Sequence, residues 1–228
     1  EKLLAQSNCG GCGRAGCAQF AEALVKGEAK LSDCRATPQA NKEKIAELLG
    51  GGEIGEETVA VVHCNGGHSC YDKYDYQGYG DCASCELIAG GVKACPVGCI
   101  GKKTCVNDCP FGAVSVGDGG YAVGDGGYAC VDKEKCISCG ACIADCPKKI
   151  IGRIPKSAKV YIACSNHGKG KEVMELCSHG CIGCGICAKN CPAGAITMKE
   201  GLPEIDYAKC VGCRVCVQKC PRKCIKEH

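Results

Sequence analysis

The sequence predicts a small α+β fold with little regular secondary structure, stabilised by bound metal rather than by a conventional apolar core. Cysteine accounts for 28 of the 228 residues, a fraction at which a cysteine framework must be considered. Large core side chains are scarce, with no Trp, 2 Phe and 8 Tyr against 34 Gly. Many cysteines recur at two- and three-residue gaps, which are too short for most of them to pair as disulfides, so metal ligation is indicated.

Several classes of function are excluded by what the sequence lacks. No stretch approaches the roughly 20 apolar residues of a membrane helix, and the absence of a signal peptide favours a reducing compartment. No Ser/His/Asp set, paired-carboxylate site or GxGxxG after a strand is visible, so we expect no catalytic residue and no organic substrate. Aromatic platforms that stack bases are also missing, which argues against nucleic acid.

The cysteine pattern and one linker divide the chain into segments. The predicted segments are an N-terminal four-cysteine domain (1–49), a flexible Gly- and Glu-rich linker (50–57), and two tandem units (58–159 and 160–228). The two units are related by an internal repeat, because residues 98–114 align without gaps with residues 180–196. The alignment pairs Cys95 with Cys177 and Lys102 with Cys184, and predicted strands upstream end in Cys64 and Cys164. A second, short repetition at 118–123 and 125–130 predicts a slipped hairpin turn.

Three copies of the pattern Cys-x2-Cys-x2-Cys-x3-Cys-Pro predict [4Fe-4S] clusters. In this pattern three thiolates of one loop bind one cluster, while the fourth binds the other cluster of a ferredoxin-like two-cluster fold. The last unit has two complete copies, so their fourth cysteines should be exchanged. The two predicted sets are Cys181, Cys184 and Cys187 with Cys220, and Cys210, Cys213 and Cys216 with Cys191.

The third complete copy must pair with a degenerate one, in which Lys102 replaces the middle cysteine. The predicted sets are Cys136, Cys139 and Cys142 with Cys109, and Cys99, Cys105 and Cys146 with Cys95. In the second set, Cys82 or Cys85 could serve instead of Cys95. The alternative for this set is a site that has lost a ligand and holds either no cube or a [3Fe-4S] cluster.

The N-terminal domain supplies four thiolates of its own, namely Cys9, Cys12, Cys17 and Cys34. Glycines in the first loop allow the backbone to approach an inorganic core closely. Helices are predicted over residues 18–26 and 38–49, the second with Thr37 as its N-cap. Structural zinc also suits four cysteines, but the clear clusters elsewhere in the chain favour [4Fe-4S] here too.

A sixth cluster is predicted to bridge the two tandem units. Its expected ligands are Cys64, Cys82, Cys164 and Cys177, with local binding by Cys64, Cys70, Cys82 and Cys85 as the rival arrangement. Some of the eight cysteines outside the other sets, among them Cys130 and Cys224, could instead pack as free thiols. We therefore expect about six [4Fe-4S] clusters, whose negative charge would outweigh the formal net charge of +3.

Two further features of the sequence are candidate sites. His63, His68, His167 and His179 lie in polar loops and are expected to be solvated rather than to bind clusters. Residues 148–159 carry five basic residues and no acid. This stretch is interpreted as a solvated linker or as a docking patch for an acidic redox partner.

The order of these motifs resembles the B subunit of the Rnf complex in its long form. The resemblance is carried by the N-terminal loop from Asn8 to Cys17 with Cys34, by Cys64, by Asp81-Cys82, by residues 90–101 and then by the ferredoxin motifs. It implies an electron-transfer subunit, without catalysis of its own, that accepts electrons from reduced soluble ferredoxin. The electrons would pass to the membrane subunits of a ferredoxin:NAD+ oxidoreductase that pumps Na+ or H+.

The resemblance also bears on localisation. Members of this family begin with a membrane helix, and this sequence, which starts at Glu1, is expected to lack it and to lie peripherally at the cytoplasmic face of the cell membrane. Two alternatives stay open. The chain could feed electrons to a soluble reductase or dehydrogenase as a polyferredoxin subunit, or it could be a multi-zinc binding module.

Overall fold

The computed structural model describes residues 1–116 and 127–228, in short helices and short strands. The helices are α1 (Cys17–Val25), α2 (Gln39–Leu48), α3 (Cys82–Leu87), α4 (Thr104–Asn107), α5 (Ala141–Asp145), α6 (Gly170–Leu176), α7 (Ile186–Lys189) and α8 (Val215–Lys219). The strands are β1 (Thr58–Val62), β2 (Val114–Val116), β3 (Ala129–Val131), β4 (Ile151–Pro155), β5 (Val160–Ile162), β6 (Ile196–Lys199), β7 (Leu202–Ile205) and β8 (Ile225–Glu227). The predicted small α+β fold is confirmed. Most of the predicted slipped hairpin turn lies outside the described residues.

Within residues 1–116 and 127–228 the strands form four antiparallel pairs, which repeat one arrangement twice. The first strand of each tandem unit pairs with the last, as β1 with β4 and β5 with β8, and an inner hairpin follows in each, as β2 with β3 and β6 with β7. In the first unit Val59 lies opposite Ile154, and in the second Val160 lies opposite Glu227. The helical turns that carry the cysteine motifs lie between these strands, so each strand pair closes one unit around its cysteines.

The N-terminal segment has its own small core. Phe20 of α1 and Ile45 of α2 are buried in one apolar cluster with Cys17 and Cys34. Both helices lie within one residue of their predicted positions, but the predicted cap is wrong. Thr37 precedes the actual N-cap, Pro38, and its buried Oγ1 accepts a hydrogen bond from the Ala5 backbone N–H at 3.2 Å.

Cysteines make up much of the buried surface of both tandem units. In the first unit Cys64, Cys105 and Cys142 are buried among Val62, Val114 and Ile151. In the second, four cysteines are buried beside β5, β6 and β8. No helix among residues 1–116 and 127–228 has the length and apolar character needed to cross a membrane. The thiol groups, rather than aromatic side chains, thus line the centre of each unit.

Candidate metal centres

The four N-terminal cysteines surround one cavity, which we call site A. The cavity has a volume of about 380 Å³, including the space at its open mouth, and is lined by Cys9, Cys12, Cys17 and Cys34. Asn8 fixes the entry to helix α1, because its Oδ1 accepts a hydrogen bond from the Cys17 backbone N–H at 2.8 Å. The predicted set is therefore brought together. Backbone of the first tandem unit completes the wall, since Ser138 and Cys139 line the same cavity.

Site B is formed by the complete motif of the first tandem unit and one cysteine of the degenerate copy. Its members are Cys109, Cys136, Cys139 and Cys142. The Cys142 thiol lies close enough to the other three for their charges to raise its pKa, after burial as the main cause. Cys136 Sγ accepts hydrogen bonds from the backbone N–H groups of Ala60 and Ser138, at 3.5 and 3.4 Å. This grouping is the one expected from the sequence.

Site C departs from the expected grouping. A cavity of about 350 Å³ is lined by Cys82, Cys99, Cys105 and Cys146, whereas Cys95 lies in a different cavity. The cause is a contact between the first residues of helices α3 and α4, which are 22 residues apart in the sequence. The Cys82 backbone N–H donates to Thr104 Oγ1 at 2.8 Å, and Asp81 caps α3 by accepting from the Ser84 N–H. Cys82 rather than Cys95 thus stands beside Cys99 and Cys105.

Site D lies between the two tandem units, in a cavity of about 340 Å³. Its lining cysteines are Cys64, Cys70, Cys95, Cys164 and Cys177. The prediction of Cys82 for this bridging site is wrong, because α3 holds Cys82 in site C. Cys95 takes its place, and the Asn166 side-chain amide donates to Cys95 Sγ at 3.3 Å. The internal repeat contained the signal, since it already aligned Cys95 with Cys177.

Cys70 is a fifth cysteine of site D that the predicted set does not contain. It forms an isolated antiparallel bridge with Cys177 across the two units, and both side chains are buried with Cys95. The rival local arrangement is not formed, because Cys64 and Cys70 lie in site D and Cys82 in site C, while Cys85 lines neither cavity. Cys85 is buried against Val92 and Ile100 instead.

The last unit contains two more groups. Site E is a cavity of about 330 Å³ lined by Cys181, Cys184, Cys187, Cys220 and Cys224. Site F groups Cys210, Cys213 and Cys216, because the charges of the first two raise the pKa of Cys216 after burial as the main cause. Its expected fourth member, Cys191, packs with Cys210 and Cys216 in an apolar cluster that also contains cysteines of site E, so its membership of site F stays a prediction. In site E the predicted four cysteines line one cavity, with Cys224 as an additional thiol.

The loops of all four motif copies share an unusual backbone conformation. The residues on both sides of the middle ligand have positive φ, a region that favours glycine. The pairs are Gly101 and Lys103, Ser138 and Gly140, Gly183 and Gly185, and Gly212 and Arg214. The degenerate copy retains this conformation although Lys102 replaces its middle cysteine, and the Lys102 ammonium lies over the Tyr76 ring instead, at 5.2 Å. The degenerate loop thus keeps the motif conformation at site C, where Cys82 of α3 provides the fourth thiol.

The thiols in these cavities fit a cluster that binds them as thiolates. Burial, followed by the charges of neighbouring thiols, raises the pKa of Cys105 and of Cys142 to about 12 and that of Cys187 to about 11. Such groups stay protonated at neutral pH unless a cation binds them. In the described part of the chain, no group of three or more His, Cys, Asp or Glu side chains stands close enough to hold a single ion. The ligands of a cube bind four different irons and therefore stand farther apart.

Two other predictions are corrected by the packing. His63 is only partly exposed, and its Nδ1 lies 2.6 Å from the Ile162 carbonyl oxygen at the junction of the units. The basic stretch is not a linker, since residues 151–155 form strand β4, although Lys149 and Lys159 on either side of that strand are exposed. The Lys148 side chain is 5% exposed and its ammonium lies 2.8 Å from the Glu86 carboxylate, while Lys156 pairs with Glu57 at 3.4 Å. The Lys148 ammonium is thus part of the folded interior, whereas the Lys156 pair is partly exposed.

Three family models match the segments that carry these sites. The model described as "Putative Fe-S cluster" matches residues 4–36, and two models described as "4Fe-4S dicluster domain" match residues 98–151 and 180–224. The first covers all of site A, and the others cover the motif loops of sites B, C, E and F. Tandem dicluster motifs with an added N-terminal cluster domain define an iron-sulfur electron-transfer protein of the polyferredoxin type.

The chain belongs to the family formed by the B subunits of the ion-translocating oxidoreductase (Rnf) complexes. It is 43% identical over 210 residues to the B subunit of the ion-translocating oxidoreductase complex of Methanosarcina acetivorans, covering 91% of this chain and 76% of that relative. It is 39% identical over 209 residues to the B subunit of the Na(+)-translocating ferredoxin:NAD(+) oxidoreductase complex of Acetobacterium woodii, covering 90% of this chain and 60% of that relative. The proton-translocating counterpart of Clostridium ljungdahlii is 39% identical and is covered over 71% of its length.

Proposed function

We propose that this chain accepts electrons from reduced soluble ferredoxin and relays them to other subunits of an ion-pumping ferredoxin:NAD+ oxidoreductase at the cytoplasmic face of the cell membrane. The chain itself performs no catalysis on an organic substrate. When bound, [4Fe-4S] clusters supply one-electron chemistry, and the chain positions them and tunes their potentials through hydrogen bonds to sulfur and through burial.

Six clusters are proposed, with the ligand sets that the cavities favour. The sets are Cys9, Cys12, Cys17 and Cys34 (site A); Cys109, Cys136, Cys139 and Cys142 (site B); Cys82, Cys99, Cys105 and Cys146 (site C); Cys64, Cys95, Cys164 and Cys177 (site D); Cys181, Cys184, Cys187 and Cys220 (site E); and Cys191, Cys210, Cys213 and Cys216 (site F). In site D, the internal repeat favours two matched pairs of ligands, Cys64 with Cys164 and Cys95 with Cys177, over Cys70.

The observation that carries the proposal is that the six sites form an unbroken series. Cys139 of site B lines the cavity of site A. Sites B and C share helix α4, which contains Cys105 and is followed by Cys109. Site F and site E are joined in the same way by helix α8, which contains Cys216 and is followed by Cys220.

Single hydrogen bonds join the remaining pairs of sites. The Cys99 N–H of site C donates to Cys64 Sγ of site D at 3.4 Å, and the Cys181 N–H of site E donates to Cys164 Sγ of site D at 3.3 Å. The two bonds are equivalent under the internal repeat, so site D receives one from each unit. This arrangement suits a relay of single electrons along the chain.

The proposal is tested by asking which donor reduces the protein. Anaerobic holoprotein is mixed with reduced ferredoxin or with NADH, and the bleaching of its visible absorbance is followed. Reduced ferredoxin is expected to bleach it rapidly, whereas NADH alone should leave it unchanged because the sequence contains no nicotinamide-binding motif. Rapid reduction by NADH and none by ferredoxin would exclude the proposed direction of entry.

The contact between site A and site B gives a prediction about domain docking. A Cβ added to Gly11 would lie 2.6 Å from the Cys139 carbonyl oxygen, so Gly11→Ala should push the N-terminal domain away from the first tandem unit. Glu53, Glu56 and Glu57 of the linker are already exposed. We expect a Glu-specific protease to cleave there several-fold faster in the variant, because a linker between undocked domains adopts more readily the extended conformation that a protease binds. Gly80→Ala is the control, since its Cβ meets no atom within 4 Å. Equal cleavage rates in the two variants would contradict the docking.

The Asn166 amide gives a prediction about the potential of site D. Its hydrogen bond to Cys95 Sγ, at 3.3 Å, stabilises the more negative reduced state of a cluster bound there. Asn166→Ala should lower that cluster's potential by about 40 mV, the equivalent of a hydrogen bond worth about 1 kcal/mol in a one-electron couple. A redox titration followed by EPR measures the shift. Asn190→Ala is the control, because Asn190 is exposed and its amide donates to the Ile186 carbonyl.

A further inference from the structure

Site E contains one thiol more than a cube requires. Cys224 is 2% exposed, and its Sγ lies 3.5 Å from Cys220 Sγ, within the cavity that Cys181, Cys184 and Cys187 also line. The Cys224 backbone is held in place, because its carbonyl accepts a hydrogen bond from the Ala163 N–H at 2.7 Å. The Cys224 sulfur can therefore move by a change of side-chain rotamer, while the backbone stays in place.

The equivalent position of two other motifs carries no thiol. Four residues after the fourth ligand, Ala195 follows Cys191 and Ala113 follows Cys109, and in both cases the alanine N–H donates to the ligand sulfur, at 3.3 and 3.4 Å. Both alanines are buried, as Cys224 is. The position therefore faces the fourth ligand in these two motifs, and Cys224 places a second sulfur there.

We propose that Cys224 is a reserve ligand of site E that can replace Cys220 on the same iron, an inference that rests on the proposed cluster at that site. The exchange involves no change of oxidation state. The Cys224 thiol gives up its proton as its sulfur binds iron, and the Cys220 sulfur leaves the iron and takes up a proton. Site E would then keep its cluster after damage to Cys220, whereas site F has no such protection at Cys191.

The test compares the iron and acid-labile sulfide content of anaerobically purified variants. Cys220→Ala is expected to keep the full content of the unsubstituted protein, and Cys224→Ala is also expected to keep it. The double variant Cys220→Ala/Cys224→Ala should lose one iron or the whole cube, because no sulfur then remains for the fourth iron. Cys191→Ala is the matched control and should show the same loss at site F.

The proposal is overturned if Cys220→Ala loses as much iron as the double variant. Should the double variant fail to fold, the converse substitution decides the question, because Cys191→Ala/Ala195→Cys should regain the iron that Cys191→Ala loses. If that variant regains no iron, the proposal is overturned. EPR spin counts of the dithionite-reduced proteins give a second readout, with Cys220→Ala matching the unsubstituted protein. Failure of the proposed function can be told apart from failure of this inference. In the first case the unsubstituted protein itself would contain fewer than the expected number of about 24 iron atoms per chain.

Discussion

Removal of iron and sulfide is expected to unfold this protein. Each of the four sheets in the described residues has two strands of three to five residues, and a two-stranded sheet alone is marginally stable in water. Cysteines contribute a large part of the buried clusters, including all three buried members of the one that joins the two units. Without the metal, these thiols no longer cross-link the chain. They remain as small hydrophobic side chains, and the rigid inorganic core is lost.

The measurement is far-UV circular dichroism of protein treated anaerobically with acid and chelator, then returned to neutral pH with a thiol reductant. Its ordered signal and cooperative thermal transition should be lost, and both should return when iron and sulfide are restored. The reductant is essential, because disulfides among 28 free cysteines could otherwise hold a misleading compact state. A reduced, iron-free chain that keeps a cooperative transition would contradict a fold stabilised by clusters.

The iron content of double cysteine variants should show that Cys82 belongs to site C and Cys95 to site D. Two substitutions in one site should remove one cluster, whereas substitutions in two sites should remove two. If Cys82 and Cys105 bind the same cluster, Cys82→Ala/Cys105→Ala should lose no more than that one cube, about four iron atoms. If Cys95 belongs to site D, Cys95→Ala/Cys105→Ala should lose iron from two clusters, up to about eight atoms, when Cys70 is also replaced by Ala so that this fifth thiol of site D cannot substitute for Cys95. The geometric basis is the bond from Cys82 N–H to Thr104 Oγ1 and the bond from Asn166 to Cys95 Sγ.

The opposite pattern would restore the ligand set expected from the sequence. In that case Cys95 and Cys105 would share a cluster, so their double variant would lose a single cube, while Cys82 and Cys105 would lose two. Cys85→Ala is a suitable control, since Cys85 is buried near Cys82 but lines neither cavity. It should leave the iron content unchanged.

The parts of the account that could be predicted from sequence depend on local spacing. The positions of α1 and of β1 follow from short periodic segments, and the complete motifs fix which loops carry thiols to one site. The grouping of Cys181, Cys184 and Cys187 with Cys220 follows from the same rule, because the fourth cysteine of a motif points away from its own loop.

The rest depended on packing between distant segments. The link between Cys82 and Thr104 spans 22 residues and has no periodic signature in the sequence. The segment between Cys64 and Cys95 is longer than its counterpart in the second unit, so the internal repeat could not align Cys70 or Cys82. The ion pair of Lys148 with Glu86 could not be predicted either, because a run of basic residues does not indicate which acidic residue lies beside it in the fold.

The most direct test of the central claim is the content of iron, acid-labile sulfide and zinc per chain in anaerobically purified protein. Six cubes predict about 24 iron atoms with an equal amount of sulfide and negligible zinc, because each [4Fe-4S] cluster contributes four of each. Stoichiometric zinc with little sulfide would contradict the account, since zinc binds thiolates without redox chemistry and could not carry electrons.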